Sequence, residues 1–274
     1  MLGRSIKEEL YRAFRGRGMY MAVIIGCLVV VAHFFIKILP VAMSYIGVLE
    51  NLEYPASLFF VTLAVETGKE VRVYYAYIFP LLAALPYAVS YYDECQNSYR
   101  NQLILRAGSR NYLIAKYIAV FITGGVAAVF PLVLDLILTM PFVPALIPQM
   151  GTFLFGVNES EWLGSLFYVH PFLYLMFRFI LMFVFAGILA SLPLAFTPVV
   201  AGRFTLLFLP FIFTLALESV TGFLNISYAS LFFMIVYYII GGSKMYLILL
   251  AWLLFGGAIF VIYYITGGKR YDKL

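Results

Sequence analysis

Long apolar runs separated by short charged segments constrain the fold of this chain more than any other feature. The first run, residues 19–36, carries no Asp, Glu, Lys or Arg and is close to the ~20 residues that a helix needs to cross a bilayer. A soluble domain of 274 residues could not bury a composition that is 64% hydrophobic and 11% charged. The sequence therefore predicts an all-α polytopic membrane protein with one transmembrane domain, residues 1–274.

Six runs are predicted to be spans. Pro80 and Pro86 are expected to kink the second one. A seventh run, Tyr228–Ile240, is shorter and more typical of a re-entrant or interfacial helix before the last span. The apolar piece Ser57–Val65 is also short, and is predicted to be interfacial or packed. The predicted spans are about residues 19–36, 75–91, 111–140, 172–196, 204–220 and 246–265.

The distribution of Lys and Arg decides between six and seven spans. Six spans with the N-terminus in the cytoplasm leave four basic residues outside (Lys37, Lys69, Arg72 and Lys244) and Arg178 within the membrane. A seventh span would move the basic C-terminal segment outside, against the positive-inside rule. We therefore expect a multi-pass protein of the plasma membrane with both termini cytoplasmic. The other 13 of the 18 basic residues are then inside: Arg4, Lys7, Arg12, Arg15, Arg17, Arg100, Arg106, Arg110, Lys116, Arg203, Lys269, Arg270 and Lys273.

Residues 1–18 predict an amphipathic helix that lies in the membrane interface. Apolar residues recur there at three- and four-residue steps, and basic residues occupy another face. The apolar face is formed by Leu2, Ile6, Leu10, Ala13 and Phe14, and the polar face by Arg4, Lys7, Glu8, Arg12 and Arg15.

Several chemistries are not supported by any motif. The chain has no G-x-x-x-x-G-K-[ST] phosphate loop and no H-E-x-x-H zinc motif. Its two histidines, His33 and His170, fall at the ends of different predicted spans and are interpreted as interfacial polar residues. Basic residues are dispersed over short loops rather than gathered on one face, which argues against nucleic acid. We predict no catalytic residue, no metal site and no cofactor on this chain.

Three ionisable residues interrupt the apolar runs most deeply: Asp135, Arg178 and Glu218. A charge in this position is costly unless it is paired or faces water. Pairing of Arg178 with Glu218 or Asp135 and separate snorkelling of each side chain to the interface are both compatible with the sequence. Lys116, near the start of the third span, is expected to snorkel to the polar side.

The longest polar segment, residues 92–110, joins the second and third predicted spans. Tyr92, Cys95, Tyr99 and Leu103 share one helical face, and Gly108 can end that helix in a left-handed conformation. Ser109 is a candidate N-cap for the following span. The segment therefore predicts a helix, a break and a second helix at the cytoplasmic mouth of two spans.

This segment resembles that of the ABC-2 type permeases, the membrane subunits of many ABC exporters. The resemblance rests on Ser90-Tyr91-Tyr92-Asp93-Glu94, on Ser98-Tyr99-Arg100, on Arg106-Ala107-Gly108-Ser109-Arg110-Asn111-Tyr112 and on Lys116. The N-terminal amphipathic helix, the six spans and the broken segment before the last span match that family in architecture.

The resemblance implies a permease that dimerises with a second copy or homologue and pairs with a separate ATP-binding subunit, on which ATP and magnesium are bound. Residues 92–110 would dock on that subunit, through polar contacts of Asp93, Glu94, Arg100 and Arg106 and apolar contacts of Tyr92, Tyr99 and Leu103. The expected activity is outward movement of a hydrophobic or amphipathic cargo such as a peptide, an antibiotic or a lipid-like molecule. A membrane-embedded enzyme and a secondary transporter remain the alternatives.

Overall fold

The computed structural model describes residues 2–44, 56–65, 74–97, 99–148, 163–224 and 245–269, and all regular structure in these ranges is helical. Single π-helical turns lie at Phe34–Ile38 and Tyr74–Ile78, directly after the second α-helix and directly before the fifth. The α-helices are α1 (Leu2–Phe14), α2 (Arg17–His33), α3 (Leu39–Ser44), α4 (Leu58–Val61), α5 (Phe79–Ala84), α6 (Ser90–Gln96), α7 (Tyr99–Ala107), α8 (Ser109–Thr139), α9 (Gly164–Val169), α10 (Pro171–Phe196), α11 (Arg203–Phe223) and α12 (Met245–Lys269).

Five helices in the described ranges are long and apolar enough to cross a membrane. They are the continuous helix Arg17–Ser44, which joins α2 to α3, and then Ser109–Thr139, Pro171–Phe196, Arg203–Phe223 and Leu249–Gly268. Five of the six predicted spans coincide with these helices. The chain is a multi-pass membrane protein.

The second predicted span, 75–91, is not one continuous helix. Pro80 lies in the first turn of α5, and turns that include Pro86 separate α5 from α6. This broken segment nevertheless follows α8 in the antiparallel direction, because the Tyr74 hydroxyl donates to the Ala128 carbonyl at 3.0 Å and the later Glu94 meets Tyr112. The stretch of α8 between Ala128 and Tyr112 is about 24 Å long.

The centre of the molecule is the antiparallel pair α8 and α10. In their apolar windows 50% and 67% of the residues are buried, against 22% in α11 and α12. Gly124 permits this close approach, because a Cβ atom there would overlap the Cβ of Ala190. Helices α8 and α10 are therefore the most buried of the long helices, and α11 and α12 are the most exposed.

The short apolar piece at residues 57–65 is packed inside the protein. The Ser57 hydroxyl caps the amide of Phe59 and donates to the Leu146 carbonyl at 2.7 Å. Leu58 and Phe59 are buried in one apolar cluster with Leu175 of α10. Of the two predicted placements, packed and interfacial, the structure favours packing.

Helices α11 and α12 run in opposite directions. Arg203, the first residue of α11, lies 3.5 Å from Asp93 of α6, and Gly267 near the end of α12 contacts Arg100 of α7. Both ends are thus close to the N-terminal end of α8, so α11 ends and α12 begins on the opposite side of the molecule. The predicted re-entrant segment, Tyr228–Ile240, lies outside the described residues.

Candidate functional site, a buried charge network beside the coupling segment

A network of buried charges joins α1 to the start of α8. Glu9 lies three residues before Arg12 and four before Ala13, so the three side chains share one side of α1. This side packs against α8, and the Glu9 side chain is only 4% exposed. Lys116 of α8 is fully buried, and its Nζ lies 2.7 Å from a Glu9 carboxylate oxygen. The predicted snorkelling of Lys116 to the interface is therefore wrong, because a partner inside the protein satisfies its charge.

Glu94 of α6 is the second carboxylate of the network. Its Oε1 lies 2.7 Å from Lys116 Nζ and 3.4 Å from an Arg12 guanidinium nitrogen. Its Oε2 accepts a 2.5 Å hydrogen bond from the Tyr112 hydroxyl. Tyr87 donates to Glu9 at 2.8 Å and accepts from Lys116 at 3.1 Å. We call Glu9, Arg12, Tyr87, Glu94, Tyr112 and Lys116 the basal network.

The charges of the basal network balance. Two carboxylates face two cations, and Arg12 pairs with both Glu9 and Glu94. Burial opposes the charge of Arg12, but its interactions with Tyr87, Glu9 and Glu94 outweigh burial and raise the pKa of Arg12 above its ordinary value. A buried group of charges is tolerated when every member is paired, whereas removing one member leaves another uncompensated.

A second connection ties α7 to the end of α12. Arg100 is 5% exposed, and its Nη2 donates to the Gly267 carbonyl at 2.7 Å. The Arg100 guanidinium also lies over the ring of Tyr91, 5.8 Å from its centroid. Carbonyls near a helix C-terminus lack helical partners, and Arg100 supplies one.

Segment 90–107 forms two short helices, α6 and α7, so the single helix predicted to carry Tyr92, Cys95, Tyr99 and Leu103 on one face is interrupted after Gln96. The predicted break at Gly108 is present. Gly108 has a φ of +81°, which favours glycine, and precedes α8. Ser109 is the first residue of α8 rather than its N-cap, and no side chain caps this end. The backbone turn at Gly108, and not a capping hydroxyl, separates α7 from α8.

The structure divides the predicted docking residues into three groups. Glu94 and Arg100 are buried and engaged within this chain. Tyr99, Leu103 and Arg106 line a cleft between α7 and α1. Tyr92 and Asp93 are half-buried on α6, and Asp93 is close to Arg203. The docking role assigned to all seven residues stays a prediction.

A second buried ionisable site lies near the opposite end of α8. His33 Nδ1 and Asp135 Oδ1 are 2.6 Å apart, and the two residues are 4% and 0% exposed. The other Asp135 oxygen accepts from the amide of Leu63 at 2.9 Å. The interfacial placement predicted for His33 is thus wrong. We call His33 and Asp135 the distal pair.

Two further charges, Arg178 and Glu218, lie within the membrane-spanning helices. Arg178 of α10 donates through Nε to the Ala64 carbonyl, so Arg178 and Asp135 bind adjacent residues of the same buried turn. Glu218 is half-buried on α11, and its carboxylate makes no hydrogen bond or ion pair with the part of the chain that the structure describes. Pairing of Arg178 with Glu218 or Asp135 stays a prediction.

The residues that the sequence patterns did not assign to these sites include Glu9, Tyr87 and His33. Glu9 could have been found as the one acidic residue of 1–18 left off the polar face. His33 could not, because nothing in the sequence places residue 33 beside residue 135 rather than in the interface. Within the described ranges no group of three His, Cys, Asp or Glu side chains could hold a metal ion.

Comparison with known proteins does not identify a relative of this chain: no protein-family model matches it, and neither does any curated protein or solved structure at a significant level.

Proposed function

We propose that this chain is the membrane-spanning permease subunit of an ATP-driven ABC exporter of the ABC-2 type. It moves a hydrophobic or amphipathic cargo such as a peptide, an antibiotic or a lipid-like molecule outward across the plasma membrane. ATP and magnesium bind the separate ATP-binding subunit, and the permease is not itself an enzyme. Residues 90–107 receive the motion of that subunit.

The observation that carries this proposal is how segment 90–107 is anchored. Glu94 fixes α6 to Lys116 and Tyr112 of α8, and Arg100 fixes α7 to the end of α12. A displacement of the segment therefore acts on two membrane helices at once. A solvated loop would need neither a fully buried lysine nor a buried arginine in its attachment.

The broken segment 74–96 supports a sixth crossing. Its contacts extend along about 24 Å of α8, which is most of the ~30 Å hydrocarbon core. Six crossings return α1 and the end of α12 to one side, and the excess of Lys and Arg assigns that side to the cytoplasm. In this topology α1 lies in the cytoplasmic interface and segment 90–107 faces the ATP-binding subunit.

An exposed leucine supports a docking surface. Leu105 is 81% exposed on a polar helix, about 160° around the helix axis from the cleft-lining Leu103 and about 100° from the cleft-lining Arg106. Docking on a partner would remove the apolar surface of Leu105 from water, which is favourable. We assign the contact with the ATP-binding subunit to Leu105, Tyr92 and Asp93, and assign to Glu94 and Arg100 the role of holding the segment in place from within.

A second permease copy would cover the exposed helices. In α11 and α12 only 22% of the apolar window is buried, and these helices face either lipid or the second copy. Pairing two chains encloses a route between them, which a single tightly packed α8–α10 core does not offer.

The test begins by searching the neighbouring reading frames for an ATPase with a phosphate loop, and then co-expresses the two proteins. We expect the two proteins to purify together and the complex to hydrolyse ATP. Leu105→Glu should abolish co-purification, because it places a charge in the apolar contact. The matched variant Phe223→Glu should not, because Phe223 is at the end of α11 that lies away from segment 90–107. Co-purification that survives Leu105→Glu would contradict the docking surface.

A secondary transporter is the second candidate, because the distal pair is a buried titratable pair within the membrane and such pairs are typical of proton pathways. The two functions are separated in proteoliposomes that contain this chain alone. Transport driven by an imposed proton gradient, and lost in Asp135→Asn, would favour the secondary transporter. Transport that requires ATP and the second subunit would favour the exporter.

A further inference from the structure

A cleft of about 570 Å³ separates α1 from α7 and the first turns of α8. Ligand-binding pockets commonly have volumes of this order. The cleft lies on the charged face of α1, away from Ile6, Leu10 and Phe14, so it opens towards water and lipid headgroups rather than acyl chains. Of the residues that line it, only Glu9, Arg12 and Tyr112 also belong to the basal network.

Two cations in this cleft have no counter-charge in the described chain. Arg4 pairs with Glu8, and Arg12 pairs with Glu9. Lys7 of α1 and Arg106 of α7 are exposed, face the same cleft from opposite walls, and make no ion pair with described residues. After internal pairing the cleft therefore carries two uncompensated positive charges.

Aromatic side chains complete the walls. Tyr11 and Tyr99 are 57% and 42% exposed, one on α1 and the other on α7. Leu103 and Ala115 add apolar surface. Two cations beside exposed rings suit a ligand with an anionic group and a planar or aliphatic body.

We propose that this cleft binds a phosphate-bearing anion, held by Lys7 and Arg106 and packed against Tyr11 and Tyr99. The bound anion bridges α1 and α7, and so adds a third connection to segment 90–107 that depends on ligand. The proposal concerns this chain alone and does not depend on an ATP-binding subunit.

The experiment uses the purified full-length chain in a zwitterionic detergent, without any ATPase, and calorimetric titration. Four probes separate the sources of phosphate: inorganic pyrophosphate, a nucleoside diphosphate, dioctanoyl phosphatidic acid and dioctanoyl phosphatidylcholine. Saturable binding of either of the first two indicates a soluble ligand, and binding of phosphatidic acid alone indicates a lipid headgroup. Each of these results supports the phosphate site.

A matched pair of variants tests the assigned residues. The double variant Lys7→Glu/Arg106→Glu should weaken binding by about 100-fold, because two charge-assisted hydrogen bonds of about tenfold each are lost. The control Arg17→Glu/Arg110→Glu changes the same total charge at exposed positions outside the cleft, and should change affinity by less than about threefold once salt screens distant charges. All four positions are exposed, so both variants should fold, which thermal unfolding verifies.

Three results would overturn the proposal. One is the absence of saturable binding by every phosphate probe, and another is equal weakening by the two double variants. The third is tighter binding of a tetraglutamate peptide than of any phosphate probe, which would make the cleft a site for an acidic protein segment.

Discussion

The basal network and the distal pair are two buried ionisable sites at opposite ends of the same helix. Lys116 and Asp135 are separated along α8 by about 28 Å, close to the thickness of the hydrocarbon core. The basal network joins α1, α6 and α8 through four charges and two tyrosines. The distal pair joins α2 and α8 to one buried turn through a single pair and one backbone amide.

The difference shows that polar side-chain contacts between helices are concentrated at the basal end of α8. Each member of the basal network contacts at least two others, so removing one leaves buried charges without compensation. Among the described residues, the Asp135 carboxylate contacts one side chain, that of His33, and one backbone amide, which a neutral amide oxygen could also accept from. We therefore expect the basal end to transmit force between segments, and the distal end to hold a local packing arrangement.

The largest expected effect is that of Lys116→Met. This change leaves Glu9 and Glu94 buried with only Arg12 to compensate them, and should lower the free energy of unfolding by about 3–5 kcal/mol. Unfolding in mixed detergent measures it. The control is Arg110→Met, which removes a cation from an exposed position of the same helix. Equal losses in the two variants would remove the basis of the comparison.

Asp135→Asn should have a smaller effect. The amide oxygen can still accept from the Leu63 amide, and only the pairing with His33 is lost, so we expect a loss of about 1–3 kcal/mol. The same unfolding measurement applies. A loss larger than that of Lys116→Met would show that the distal pair, and not the basal network, is the more strongly coupled site.

The connection between the two ends depends on the packing of α8 against α10. Gly124→Ala would place a Cβ 2.3 Å from the Ala190 Cβ, and overpacking of this kind costs about 1–3 kcal/mol. Gly257→Ala is the matched control, because no atom lies within 4 Å of the added Cβ. If Gly124→Ala is as well tolerated as Gly257→Ala in thermal unfolding, α8 and α10 do not form a rigid connection.

The smallest effect is expected for Asp93→Asn. The ion pair of Asp93 with Arg203 is 3.5 Å long, with side chains 36% and 64% exposed, and exposed pairs contribute at most about 1 kcal/mol. Stability should change by less than that, in contrast to the buried Glu94 next to it. A change as large as that of Lys116→Met would mean that exposure does not separate structural from solvated charges in this segment.

The sequence patterns predict the spans better than the contacts between them. Apolar length alone locates five long helices, because a bilayer imposes that length on each one independently. Pro86 correctly signals a disturbance in the second span, but the pattern does not show that α5 and α6 are separate helices. The break at Gly108 was predicted because glycine adopts a positive φ more readily than other residues, and this depends only on the local backbone.

The site was predicted only in part, because its partners are distant in sequence. Glu94 and Lys116 were singled out, one as a docking residue and the other as a snorkelling one, but their contact depends on how α6 packs against α8. Glu9 joins them from 85 residues earlier than Glu94. Periodicity indicates which face of a helix is polar, and does not indicate which polar side chain another helix will cover.

The most direct test of the account is a photo-crosslinking measurement at segment 90–107 in intact membranes. A benzoylphenylalanine replaces Leu105, 81% exposed, or as a control Phe223, 91% exposed at the opposite end of α11, and mass spectrometry identifies the adducts. The account predicts an adduct with a phosphate-loop ATPase from position 105 and none from position 223. Adducts from position 105 that contain only lipid or other proteins, in cells that express the neighbouring ATPase, would contradict it.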